Sequence, residues 1–74
     1  MKLNGKRVVT GTGMGVDPGM YTVARLDEHL GEWMYFVHKQ STSSVSVLMS
    51  YMDLRKIWGD EAQIVIIRPG ELAE

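Results

Sequence analysis

The chain has 74 residues, no cysteine and a formal net charge of −1, from eight basic and nine acidic side chains. This length predicts one small domain, and the lack of cysteine excludes disulfides and thiolate metal sites. The balanced charge predicts no general attraction to nucleic acid or to anionic membranes, and no apolar run approaches the ~20 residues of a membrane helix. We therefore expect a small cytoplasmic domain.

The first predicted strand lies within residues 6–12, where Val8 and Val9 precede a glycine-rich loop over residues 11–19. An Asp-Pro-Gly turn signal ends this loop, so the chain turns where a phosphate-binding loop would open a helix. The loop is therefore interpreted as a connection and not as a phosphate site.

Two further strands are predicted over residues 20–26 and 33–38. Alternation in the first places Tyr21, Val23 and Arg25 on one face and the other four residues on the opposite face. The second is apolar on both faces, which is typical of a central strand covered on both sides. Residues 27–31 between them are interpreted as a polar loop that carries one buried leucine, Leu30, with a short helical turn as the alternative.

Between residues 44 and 50, valines and a methionine alternate with serines, a period that predicts a half-buried strand. Ser50, with Asp53 three residues later, predicts the N-cap of a short helix over residues 51–58. Gly59 then occupies the position of a left-handed C-terminal cap.

One face of this predicted helix carries Leu54, Ile57 and Trp58, at i, i+3 and i+4. We expect this face to pack on the core and Trp58 to be buried. Trp58 then anchors the short helix.

The last predicted strand contains four consecutive aliphatic residues and is followed by Pro69-Gly70. These residues are Ile64, Val65, Ile66 and Ile67. Such a run is typical of a strand buried on both faces. If the helix and Leu72 leave one face uncovered, we expect a weak homodimer through this strand.

The order of elements predicts a mainly β fold with five short strands, a long first loop and a short helix before the last strand. This arrangement resembles SH3-like small barrels. An α+β fold with a small antiparallel sheet and one helix is the alternative. The domain is expected to span residues 1–70, with a frayed tail over residues 71–74.

The resemblance to SH3-like barrels leaves the function open, because such barrels host peptide readers, nucleic-acid binders and enzymes. We expect a non-enzymatic domain that binds a protein or peptide partner through the glycine-rich loop and exposed aromatic rings. The candidate contact residues are Met14, Tyr21, Trp33, Tyr35 and Tyr51.

Nucleic-acid binding through a local basic patch is the alternative function. The segment Asn4-Gly5-Lys6-Arg7-Val8-Val9 resembles the start of a KOW-type barrel, a family that binds RNA, ribosomes or polymerase. The candidate contacts are Lys6, Arg7, Arg25, Arg55 and Lys56.

No metal site, cofactor or catalytic residue is predicted. The only histidines, His29 and His38, lack the spacing of paired metal ligands. The serine-rich residues 41–44 show no motif that would place a base beside a nucleophile.

Overall fold

The structure is a computed structural model that describes residues 1–11 and 15–73. Its elements are β1 (Lys2–Leu3), β2 (Lys6–Thr10), β3 (Tyr21–His29), β4 (Glu32–Ser41), α1 (Ser44–Trp58) and β5 (Gln63–Ile67). The strands form one sheet in the order β1-β2-β4-β3-β5. This sheet is curled into a half-barrel, which confirms the mainly β fold with one helix before the last strand and is consistent with a small SH3-like barrel.

Two tight hairpins have the same backbone shape. Asn4 and Gly5 connect β1 to β2, and Leu30 and Gly31 connect β3 to β4, with φ of 52° and 77° in the first turn and 51° and 81° in the second. Positive φ at both central residues is the geometry of a type I′ turn, whose twist matches that of the flanking strands. The predicted polar loop with a buried leucine is therefore wrong: the strands run up to the turn and leave Leu30 almost fully exposed at its tip.

The sheet separates two hydrophobic clusters. Val23 and Ala24 are neighbours in β3, so their side chains point to opposite faces of the sheet. Ala24 joins the cluster on the face away from α1, with Val8, Tyr35 and Ile67 as its other buried members. Val23 packs with Val47 and Ile64 under α1. The helix therefore covers one face of the sheet.

The predicted strand over residues 44–50 is wrong, because these residues belong to the helix. Ser43 is the N-cap, with φ of −95° and ψ of 120°, and its side chain accepts a hydrogen bond from the Ser46 N–H. Ser50 lies inside the helix instead of at its start. Gly59 does end the helix with a positive φ of 82°, and its N–H donates to the Arg55 carbonyl. In the part of the chain that is described, no helix is long and apolar enough to cross a membrane.

The last residues of the chain are paired and not frayed up to Ala73. The Lys2 N–H donates to the Ala73 carbonyl at 2.6 Å, and the Ala73 N–H donates to the Lys2 carbonyl at 3.0 Å. Leu72 packs on the cluster away from α1, so the chain itself covers both faces of β5. The uncovered aliphatic face on which the homodimer prediction depended is absent among the described residues, and self-association stays a prediction.

Candidate partner-binding site

The aromatic residues predicted to contact a partner differ widely in exposure. Trp33 is 49% exposed, whereas Tyr35 is buried in the cluster away from α1, because it lies in the middle of the central strand β4. Tyr21 and Tyr51 are half-buried and pack against the cluster under α1. Met14 lies outside the described residues. Trp33 is therefore the one ring of this set that the structure leaves largely at the surface of the described chain.

The prediction that Trp58 is buried is wrong, since this side chain is 49% exposed. The face of α1 that packs on the sheet is formed by Val47, Tyr51 and Leu54. Ile57 lies on the solvent side. Trp58 is at the last residue of the helix, beside the edge of the sheet, so only part of its ring is covered.

Trp33 and Trp58 line the same groove, which has a volume of about 350 Å³. Its other lining residues are Arg25, Leu26, Asp27, Glu61, Ala62 and Gln63. The groove lies where β5 begins, because β5 pairs with β3 only as far as Leu26, and β3 continues to His29. The groove therefore crosses the edge of β3 beyond the end of its neighbour.

The two tryptophans reach this edge from opposite sides of the sheet. Trp33 is paired with Glu28, and residues directly opposite each other on neighbouring strands share a face. Glu28 is two residues from Leu26 in β3, so both side chains lie on the face away from α1. Trp58 belongs to α1 and lies on the other face. One ring therefore flanks each side of the β3 edge.

Arg25 contacts two other residues that line the groove, Trp58 and Asp27. Its guanidinium carbon lies 4.0 Å from the centre of the Trp58 ring, and its Nη1 donates to Asp27 Oδ2. The Arg25 side chain is only 16% exposed, whereas that of Asp27 is 48% exposed. The hydrogen bond from Arg25 and a second one from the Glu28 N–H lower the pKa of Asp27 below its usual value, so this carboxylate stays ionised at neutral pH.

Arg55 holds the segment that forms the far end of the groove. Its Nη1 donates to the carbonyls of Asp60, at 3.3 Å, and Ala62, at 2.9 Å. Its guanidinium carbon also lies 5.5 Å from the centre of the Tyr51 ring. These contacts attach the turn after α1 to the helix and position Glu61 at the rim.

The five basic residues proposed for nucleic-acid binding lie on three different elements. Lys6 and Arg7 are on β2, and Arg7 faces Glu32 with Nη1 and Oε1 3.4 Å apart. Arg25 is on β3, while Arg55 and Lys56 are in the last turn of α1. The guanidinium groups of all three arginines contact groups of the chain itself.

The outer side of α1 carries a second exposed apolar surface, which sequence reasoning missed. Val45, Leu48, Met49 and Met52 lie at i, i+3, i+4 and i+7 and are all exposed. We call this set the outer stripe. These residues have helical spacing in the sequence. If residues 44–50 formed a strand, their side chains would be divided between the two faces of that strand.

A separate cavity of about 580 Å³ is lined by residues of β2, β4 and the glycine-rich loop, including Val9, Val16 and Phe36. The end of this loop is attached to the sheet by Gln40, whose amide accepts from the Asp17 N–H and donates to the Asp17 carbonyl and to Thr22 Oγ1. The loop therefore does not line the tryptophan groove within the described part of the chain.

Among residues 1–11 and 15–73, no group of three or more potential ligand side chains could hold a metal ion. The candidate site therefore consists of the two tryptophans, the Arg25–Asp27 ion pair and the Glu61 rim. No protein-family model, curated protein or solved structure matches this chain.

Proposed function

We propose that this chain is a non-enzymatic interaction domain that binds a protein or peptide partner in the groove between Trp33 and Trp58. The observation that carries this proposal is that two half-exposed tryptophans flank one groove. A tryptophan ring offers a large apolar contact area together with one N–H donor, and tryptophan is enriched among the residues that dominate binding energy.

The rigidity of the groove supports the same function. Its walls are fixed by strand pairing, by the stacking of Arg25 on Trp58 and by the hydrogen bonds of Arg55. A preformed groove loses little conformational entropy when a ligand enters, so more of the contact energy remains as affinity. The glycine-rich loop, expected from sequence to contribute, is replaced in this proposal by the segment around Glu61.

The proposal is tested with a displayed library of random peptides, selected on the immobilised domain. We expect the selected peptides to bind the Trp33→Ala variant at least ~10-fold more weakly than the wild type, because that substitution removes one wall of the groove. Leu48→Ala is the matched control, since it truncates an exposed apolar side chain of the outer stripe.

Selection of no peptide, or equal weakening by the two substitutions, would contradict the proposal. An oligonucleotide duplex serves as a second probe. Binding of the duplex that is lost in a Lys6→Ala, Arg7→Ala double variant would favour the nucleic-acid alternative.

A further inference from the structure

The charge of the groove indicates which partner side chain it accepts. We propose that the groove binds a cationic side chain, an arginine or lysine of a peptide, between the Trp33 ring and the carboxylates of Asp27 and Glu61. This inference rests on the proposed function, because it names the chemistry of the partner for the same groove.

The chain already contains one example of the proposed contact. The Arg25 guanidinium stacks on the Trp58 ring and donates to Asp27. Stacking of a planar cation on an indole face is favourable because the ring carries negative charge on its faces. Arg25 occupies Trp58 in this way, whereas the exposed half of Trp33 has no such partner among the described residues.

The accessible charge in the groove is negative. Arg25 is the single cation among the lining residues, and it is mostly covered and paired with Asp27. Glu61 is exposed and makes no ion pair within the described residues. A positively charged ligand is therefore complementary to this site.

Asp27 retains the capacity to accept further hydrogen bonds. Its Oδ1 accepts from the Glu28 N–H at 2.8 Å, and its Oδ2 accepts from Arg25. Each carboxylate oxygen has two lone pairs, so one position on each oxygen is left for a ligand. With about half of the side chain exposed, an incoming guanidinium or ammonium group can reach it.

The edge of β3 is not prepared for the addition of a strand. The Glu28 N–H lies beyond the end of β5, and it is already bonded to the Asp27 carboxylate. A partner strand would lose this donor or displace the carboxylate from it. The observations therefore favour recognition of a side chain over backbone pairing.

The inference is tested by NMR titration of the whole domain with blocked tripeptides that differ only in the central residue. Gly-Arg-Gly and Gly-Lys-Gly are the cationic probes, and Gly-Leu-Gly and Gly-Glu-Gly are the neutral and acidic ones. We expect saturable shifts with the cationic probes alone, at the Trp33 indole N–H and at the backbone N–H groups of Asp27 and Ala62, which also line the groove and report binding in every variant. Glu61→Gln should weaken their binding about threefold, the size of an exposed charge contact, and Trp33→Ala by about fivefold or more.

Asp53→Asn is the matched control, because it removes an exposed carboxylate of α1 that does not line the groove. It should leave the affinity unchanged. The inference is overturned if the probes bind equally well whatever their charge, if no cationic probe binds, or if Asp53→Asn weakens binding as much as Glu61→Gln does. Glu61 is exposed, so Glu61→Gln removes no core contact and the variant is expected to fold.

The library selection separates this inference from the proposed function. Peptides that require Trp33 but contain no enriched arginine or lysine would leave the groove as the binding site and overturn the choice of a cationic partner. Peptides unaffected by Trp33→Ala would overturn both.

Discussion

The two sides of α1 have nearly the same hydrophobicity and very different surroundings. The inner side, with Val47, Tyr51 and Leu54, packs on the cluster over β3 and β5. The outer stripe is equally apolar and faces solvent. Periodicity shows that a helix has apolar stripes, but it does not show which stripe the sheet will cover. The stripe that is covered depends on how the connections from β4 and to β5 orient the helix on the sheet.

The largest expected difference between the two sides comes from the same substitution made two residues apart. Val47 is 1% exposed, so Val47→Asp buries an unpaired charge and should lower the free energy of unfolding by more than ~3 kcal/mol, enough to unfold a small domain. Val45→Asp adds an acidic residue to a first helical turn that has none, and should change stability by less than ~0.5 kcal/mol.

Urea unfolding followed by circular dichroism measures both variants. If residues 44–50 were a strand, Val45 and Val47 would share a face, and the two substitutions would be similarly destabilising. Equal effects would therefore contradict the helix.

A smaller effect is expected at Trp58, which lies at the boundary between the two sides. Trp58→Ala should lower the free energy of unfolding by ~1–2 kcal/mol, since it loses the stacking of Arg25 and the covered half of the ring. A fully buried tryptophan would cost ~3–5 kcal/mol. The control is Ile57→Ala, on the solvent side of the same turn, which should be nearly neutral. A loss at Trp58 in the larger range would mean that the ring is buried in solution.

The stability of the sheet can also be probed by pH, through His38 on β4. Desolvation and the nearby positive charge of Arg25 lower the pKa of His38 below its usual 6.5. The unfolded chain therefore takes up a proton at higher pH than the folded chain. The resulting stability is present above the unfolded pKa and is lost as the pH falls through the lowered, folded value.

The measurement is the urea midpoint at about pH 7.5 and about pH 5.5, where we expect the lower value at the lower pH. Asp27 and Glu71 also have lowered pKa values, but even their ordinary values, 3.8 and 4.5, lie below this window. His38→Gln should remove a measurable part of the difference. An unchanged difference would assign it to other groups.

The smallest expected effect on stability is at the outer stripe. Leu48→Gln should leave the free energy of unfolding within ~0.5 kcal/mol of the wild type, because the side chain is exposed. Sedimentation across a hundredfold concentration range shows whether copies associate, and whether Leu48→Gln changes this. A dimer that persists in Leu48→Gln would exclude the outer stripe as its interface and leave the predicted one through β5.

Local signals in the sequence predicted several elements correctly. Alternation and apolar runs marked the strands around Val8, Val23, Tyr35 and Ile66, and a glycine marked the end of the helix. These features depend on residues close in sequence, so they survive without knowledge of the fold.

The start of α1 was missed because serines and valines alternate over residues 44–50 and the true N-cap, Ser43, is followed at the third position by Ser46 in place of a glutamate. The Asn4-Gly5 turn is a strong hairpin signal that was overlooked. Leu30 in the matching turn could not be predicted, because a leucine at positive φ is unfavourable and is imposed by the strands on either side.

The groove was only partly predictable. An exposed role for Trp33 followed from its aromatic character. Its partners come from residues 25–27 and 58–63, which are distant in sequence and meet only because β5 begins short of the tip of β3. Strand ends are the least certain part of any prediction from sequence. A site that depends on a difference in strand length therefore cannot be predicted from the sequence.

The pairing of Lys2 with Ala73 brings the two ends of the described chain to one place. A short linker could therefore join them, and the chain could be opened at the Leu30–Gly31 turn to give a circular permutant with the same sheet. In that permutant, β3 and β4 would no longer be neighbours in sequence. The central pair of the sheet would become the contact of longest range, so the permutant is expected to fold more slowly.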